Sequence, residues 1–314
     1  GRRYVARFGG TWVEQRDNPD SGDPEVRLKP LDEFRSQVES AGEFIMVPGE
    51  EISDRAEGKP VHINATNLAA VIKPARGATV REAMANNLRI ILQHEKDHGR
   101  QLLPHLNHPN FGYAVTAEDL AAVTDERFFE VYNGHPAVNH LGDEDHPSVE
   151  AIWDQVNAIR LQAGAAPLFG VGTDDSHEYH GVKGSHPGRG WVMVKSMYLS
   201  PEHLIRAMKR GDFYASSGVE LRSVAFDPEK RQLRVDVAGL EGVAFTTEFI
   251  TSTANDVGTV VATSSTLSST YQMKPGELYV RARVTSEQAH ADPSFPDQKQ
   301  QAWTQPVGWQ RPDR

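Results

Sequence analysis

The sequence predicts an α/β domain over residues 1–222, with strands and helices alternating as in a parallel sheet or barrel, followed by a small all-β antiparallel domain over residues 223–314. Three observations carry that prediction. Short apolar runs alternate with helical segments that have marked ends. Polar residues repeatedly follow the apolar runs. Beyond "GDFYASSGVEL" (211–221) the pattern changes to period-two alternation. A chain of 314 residues, 38% of them hydrophobic, can bury one large core, or one core plus a smaller domain.

The elements follow in chain order. The opening "RRYVARFGG" (2–10) reads as strand or loop, and "FIMV" (44–47) as the first buried strand. "PVHIN" (60–64) is a short apolar stretch. "QLLPHL" (101–106), "RFFEVY" (127–132) and "PLFGV" (167–171) read as further buried strands. Between them, Thr79 and Glu82 form a capping box ahead of "REAMANNLRIILQHEKDH" (81–98), which stops at Gly99. Thr116 caps "AEDLAAV" (117–123). Ser148 caps "VEAIWDQVNAIRLQA" (149–163), where Ile152, Val156 and Ile159 fall at helical spacing before Gly164. Ser200 and Pro201 open "PEHLIRAMKR" (201–210), closed by Gly211. After that no amphipathic helix is expected. "QLRVDV" (232–237) and "LYVRARV" (278–284) alternate apolar and polar residues across Ser/Thr-rich turns, with Trp303 the expected anchor onto the first domain.

Composition narrows the function. Lys and Arg number 33 against 43 Asp and Glu, a net charge of -10, which argues against general binding to nucleic acid or anionic membranes. There is no cysteine, so disulfides and thiolate zinc sites are excluded and any metal is held by His, Asp or Glu. No apolar run approaches the ~20 residues that span a bilayer. The chain opens on Gly1 without a signal-peptide pattern, and is expected to begin partway through a longer gene product.

The costly residues gather just past the apolar runs. "FIMV" leads into Glu50 and Glu51, "LLPHL" into Asn107 and His108, and "FFEVY" into Asn133, Gly134 and His135. "LFGV" leads into Asp174, Asp175, Ser176 and His177, with His180 three residues on. At the mouth of a β/α barrel such strand ends converge on one pocket. Imidazoles mixed with carboxylates suit zinc, manganese or iron(II). Glu51 could bridge two ions, and Asp175 and His177 could serve one ion or two neighbours. Such a cluster lowers the pKa of bound water and clamps a phosphoryl group.

Each residue also has a plainer reading. Glu50–Glu51 could be a solvated loop, His108 a strand-end cap and His62 a core histidine. Glu130 and Asn133 are pocket or supporting candidates, and His135 belongs to either pocket or surface. Arg189 could clamp phosphate in bidentate fashion or form a structural ion pair, with Trp191, Val192 and Val194 beside it in the core. "HEKDH" (94–98) matches the zinc-peptidase pattern through His94, Glu95 and His98, but falls on the last charged turn of a helix, where exposed polar residues are expected.

Five motifs in order, "GEEIS" (49–53), "VHINATNL" (61–68), "LNHPNF" (106–111), "FEVYNG" (129–134) and "GTDDSH" (172–177), resemble the PHP (polymerase and histidinol phosphatase) family of metal-dependent phosphoesterases. "GRGWVMV" (188–194), "GDFYASSGV" (211–219) and "AWTQPV" (302–307) are similar to a bacterial subgroup with an added C-terminal β domain. The resemblance implies a distorted (β/α)7 barrel holding two or three divalent ions (zinc, manganese or iron) through Glu51, His62, His108, Asp175 and His177. It implies hydrolysis of a small phosphorylated substrate, with Arg189 or a metal steadying the departing charge. The family's opening H-x-H, the Asp after it and a second-strand His do not occur here, since the first histidine is His62; they are expected upstream. Two other readings stand beside this one: a degenerate, non-catalytic PHP-like binding domain, and a peptidase built on His94 and His98.

Overall fold

A computed structural model describes residues 2–179 and 184–309, so His180 and Gly181 of the histidine-rich stretch lie outside the described residues. The chain divides into two compact units, Gly1–Pro48 and Gly49–Arg314. The first unit contains helix α1 (Arg2–Phe8), the antiparallel pair β1 (Gln15–Asp17) and β2 (Pro24–Val26), and the short helix α2 (Leu31–Phe34). None of its described residues is buried. Surface ion pairs of Arg27 with Glu14 and Glu33, and of Lys29 with Glu14, tie it together.

Two sequence expectations fail in this unit. "RRYVARFGG" is mostly helix, with Tyr4 and Phe8 stacked one turn apart. "FIMV" is not a buried strand. Phe44 makes only an isolated bridge to Ser40 and is 49% exposed. After it the next strand begins at Gly49, where buried and exposed positions alternate from Glu51 on.

The second unit starts with a hairpin of β3 (Gly49–Ala56) and β4 (Lys59–Thr66). Glu57 and Gly58 between them both have positive φ (53° and 76°), the two-residue turn that matches strand twist. Then come α3 (Val80–His98), β5 (Leu103–Leu106), α4 (Ala117–Ala122), β6 (Phe128–Asn133), α5 (Val149–Gln162) and β7 (Phe169–Thr173). These strands form one sheet in the order β3-β4-β5-β6-β7, antiparallel from β3 to β5 and parallel from β5 to β7.

The chain continues through β8 (Trp191–Val194), α6 (Pro201–Arg210), β9 (Phe213–Ser216), β10 (Leu221–Asp227), β11 (Gln232–Val237), β12 (Phe245–Ser252), β13 (Thr259–Ser264), β14 (Ser268–Gln272), β15 (Tyr279–Ala289) and β16 (Lys299–Thr304). They make an antiparallel six-stranded sheet, β13-β12-β15-β16-β9-β8, and a three-stranded sheet, β10-β11-β14.

The expected (β/α)7 barrel is therefore wrong. Among the described residues strands predominate, parallel pairing is confined to β5–β6–β7, and no sheet closes on itself. The tight Glu57-Gly58 turn forces β3 and β4 antiparallel, because only a long crossover can return a chain parallel. The expected boundary at residue 222 also falls inside a sheet: β8 and β9 precede it, yet β9 pairs with β16.

The N-cap residues are as read from sequence, although Glu82 reaches back to Ala78 N and not to the Thr79 N–H, so the expected capping box is only half formed. The side chains of Thr79, Thr116, Ser148 and Ser200 accept from backbone N–H groups in the first turns of α3 to α6. Gly99 and Gly211 end α3 and α6 in the left-handed conformation. Ile152 and Val156 are buried, whereas Ile159 is 43% exposed. Trp303 is buried and stacks on Tyr132, 5.7 Å between ring centroids, so it does anchor β16 to the mixed sheet. Trp191 is not core: it is 38% exposed, because β8 is an edge strand. No helix of the described residues is long and apolar enough to cross a membrane.

Candidate metal centre

The hairpin has two unlike faces. Ile52, Asp54 and Ala56 of β3 and Val61, Ile63 and Ala65 of β4 are buried; Glu51 and Ser53 alternate with them on the other face, as do His62 and Asn64. Glu51 pairs in register with Asn64, and Ser53 with His62, so Glu51 and His62 are diagonal neighbours on that face. His62 Nδ1 is 3.1 Å from Glu51 Oε1. Glu51 is thus held within a strand, not on the loop the sequence suggested.

His108 comes from the turn after β5. Its Nε2 is 3.6 Å from the same Glu51 oxygen, and its ring stands edge-on to His62 at 5.1 Å. One ligand atom from each of Glu51, His62 and His108 fits within 4.8 Å of the others. His108 has φ 22° and Asp175 φ 46°, left-handed values that cost strain in non-glycine residues and cluster at functional sites. Asp175 and His177 follow β7, with His177 Nδ1 3.4 Å from Asp175 Oδ1. Glu51, His62, His108, Asp175 and His177 line one pocket of about 110 Å³, joined by Phe111 and His135.

Supporting polar groups hold this cluster. Asn107 Nδ2 donates to Glu51 Oε1 (2.8 Å), and its Oδ1 accepts from Asn64 N (3.2 Å). Buried Glu130 accepts from His108 N (2.7 Å), Asn133 Nδ2 (2.7 Å) and Thr173 Oγ1 (2.8 Å). Asn133 also donates to Asp175 Oδ2 at 3.1 Å. Glu130 and Asn133 therefore couple the ends of β5, β6 and β7. Gly134 is required where those ends meet: a Cβ there would lie 2.6 Å from the Asp174 carbonyl oxygen.

Electrostatics follow the same geometry. Contacts with His108 and then His62 hold the Glu51 carboxyl well below the usual carboxylate range. Burial opposes charge on His108, but the Glu51 carboxylate 3.6 Å away, with those of Glu130 and Asp175, outweighs it and raises its pKa. Burial, with the neighbouring cationic groups, lowers that of His135.

The donor set suits a divalent ion. Imidazole nitrogens and carboxylate oxygens converge with no thiolate present. His62 Nδ1 is buried and makes no hydrogen bond despite its proximity to Glu51, as expected for two lone pairs aimed at a common cation.

Arg189 does not line the pocket. Its Nε and Nη2 donate to the two Asp292 carboxylate oxygens (2.9 and 2.7 Å), and Nη1 donates to the Gly134 carbonyl at 2.8 Å. With these contacts Arg189 braces the Gly134–His135 turn, the ion pair of its plainer reading, rather than facing the pocket as a phosphate clamp. Asp174 is likewise a brace: its carboxylate accepts from Gly188 N and Gly190 N.

The "HEKDH" residues are engaged elsewhere. His94 Nε2 accepts from Ala69 N, the His98 ring stacks on that of His94, and Glu95 pairs with Lys209 at 2.8 Å.

Sequence reasoning passed over Asn64, His105 and Phe111 around the site. Asn64 was legible in the alternation of "VHINAT", and Phe111 sits in a motif already singled out. His105, buried in β5 with Nε2 3.5 Å from Glu130, gave no signal beyond its type. Compared with family models, curated proteins and solved structures, the chain gives no match.

Proposed function

We propose that this chain is a metal-dependent phosphoester hydrolase related to the PHP family, acting on a small phosphorylated substrate. The observation that carries the reading is convergence: five motif-borne side chains, from β3, β4, the turn after β5 and the segment after β7, line one pocket. A solvated loop or scattered caps would not bring them together.

Glu51, His62 and His108 would hold one divalent ion, with Asp175 and His177 available to it or to a second. Such ions lower the pKa of water and withdraw charge from a phosphoryl group. The protein's part is placement. Asn107 fixes Glu51, while Glu130 fixes the His108 backbone and, through Asn133, the Asp175 carboxylate.

The open-sheet fold departs from the family barrel, so support comes from the side chains and their order. No observation favours the peptidase reading, because Glu95 is held by Lys209 and the Leu102 N–H. The test is hydrolysis of p-nitrophenyl phosphate and bis(p-nitrophenyl) phosphate by chelator-stripped protein, with and without added zinc or manganese. Metal-dependent turnover abolished by Glu51→Gln is expected. Absence of turnover under every metal, or turnover indifferent to Glu51→Gln, would refute it.

A further inference from the structure

Phe111 and His135 line the pocket without belonging to the expected ligand set. Ala137 N donates to His135 Nδ1 at 3.1 Å, so Nδ1 offers its lone pair to the backbone. With Nδ1 accepting, the ring proton sits on Nε2, and no lone pair is left for an ion. The turn is stiff: His135 N donates to Asn133 Oδ1 at 2.7 Å, while Arg189 and Ser294 both donate to the Gly134 carbonyl. Phe111 stands edge-on to His108 (5.1 Å) and His135 (6.5 Å) and is only partly buried. Its loop is fastened to the His135 loop by Asn110 and Asn139, each donating to the other's loop backbone. An apolar ring and a fixed N–H donor thus face the same small space.

We infer that Phe111 and His135 form the substrate-recognition wall of this pocket, and that the substrate is a phosphoester carrying an apolar or aromatic group. Phe111 packs on that group, and His135 Nε2–H donates to a phosphoryl oxygen. The inference rests on the phosphoesterase reading and adds a substrate class to it. An aromatic surface with a few placed polar groups is the usual composition of a selective small-molecule site.

The test uses zinc-loaded protein and two inert probes, methylphosphonate and phenylphosphonate, with affinity measured by calorimetry and metal content by elemental analysis. His135→Ala should keep its metal and bind both probes about tenfold more weakly, the scale of one hydrogen bond to a charged group. His135→Gln, which retains a donor, should recover most of that loss. Phe111→Ala should weaken phenylphosphonate about tenfold and methylphosphonate little. Loss of zinc in His135→Ala would make His135 a ligand and overturn the inference, as would unchanged affinity or equal effects of Phe111→Ala on both probes. Wild-type protein that holds zinc but binds neither probe would sink the phosphoesterase reading itself, and the recognition wall with it.

Discussion

Two polar clusters in the second unit use carboxylates for opposite ends. Where α5 meets β15, Asp154 accepts from Arg281 through both oxygens (2.8 and 2.6 Å) and from the Tyr279 hydroxyl (2.6 Å). Glu150 pairs with Arg281 and Arg283, and Arg283 with Glu248. Every carboxylate there has a guanidinium, and Arg281 also lies over the Trp153 ring at 4.7 Å. Around the pocket, Glu51, Glu130 and Asp175 gather with histidines, and no Lys or Arg is among the described residues lining it. The nearby guanidinium, Arg189, is spent on Asp292. A cluster whose carboxylates are all ion-paired is a structural joint; one that leaves its charge open has room for a cation from outside.

The largest expected effect breaks the closed cluster. Arg281→Ala would leave Asp154 buried and uncompensated, costing roughly 3–5 kcal/mol in urea unfolding while metal content per folded molecule stays unchanged. A fall in metal content would mean the two clusters are not independent.

Next comes acid. His140 is buried against Tyr132, and its Nε2–H donates to the Asn133 carbonyl at 2.6 Å. Burial pushes its pKa down to about 4 from an ordinary 6.5. The unfolded chain therefore binds this proton first. Its stabilising contribution is complete above pH 6.5 and is lost as pH falls to 4, about 3 kcal/mol over that window. His140→Gln, able to make the same donation, should flatten the urea midpoint against pH there; an unchanged slope would contradict the assignment.

The open cluster should respond in activity more than in stability. Asp175→Asn or His177→Ala should cut phosphoester hydrolysis by at least ~100-fold. Folding should survive, since asparagine also tolerates the left-handed backbone at position 175. Asp174→Asn should cost less activity, its carboxylate being engaged with Gly188 and Gly190 N–H groups. The smallest effect on activity is expected from Glu95→Ala, which removes a partly exposed pair to Lys209 and the acceptor of the Leu102 N–H: roughly 1–3 kcal/mol of stability and no activity.

How far the sequence was legible follows the range of the forces involved. Helix ends were readable because capping is local, as Thr79, Thr116, Ser148 and Ser200 each show. Which strands pair is a long-range matter, and alternation of strands with helices was mistaken for a barrel. The decisive local clue was Glu57-Gly58, a hairpin turn that makes β3 and β4 antiparallel and carries Glu51 and His62 on one face. The site residues were legible as types in order. Arg189 was not, because its partner Asp292 lies 103 residues away on a loop without strand or helix pattern.

The central claim is that the open cluster binds a divalent cation through Glu51, His62 and His108. Chelator-stripped protein titrated with zinc, followed by elemental analysis and thermal unfolding, tests it directly. Zinc should bind wild-type protein and raise its melting temperature, as it should with the His94→Ala/His98→Ala double variant. Glu51→Gln and His62→Ala should fold yet bind at least ~10-fold more weakly. Wild-type protein that takes up no zinc, or zinc lost with His94 and His98 but kept by Glu51→Gln and His62→Ala, would contradict the account.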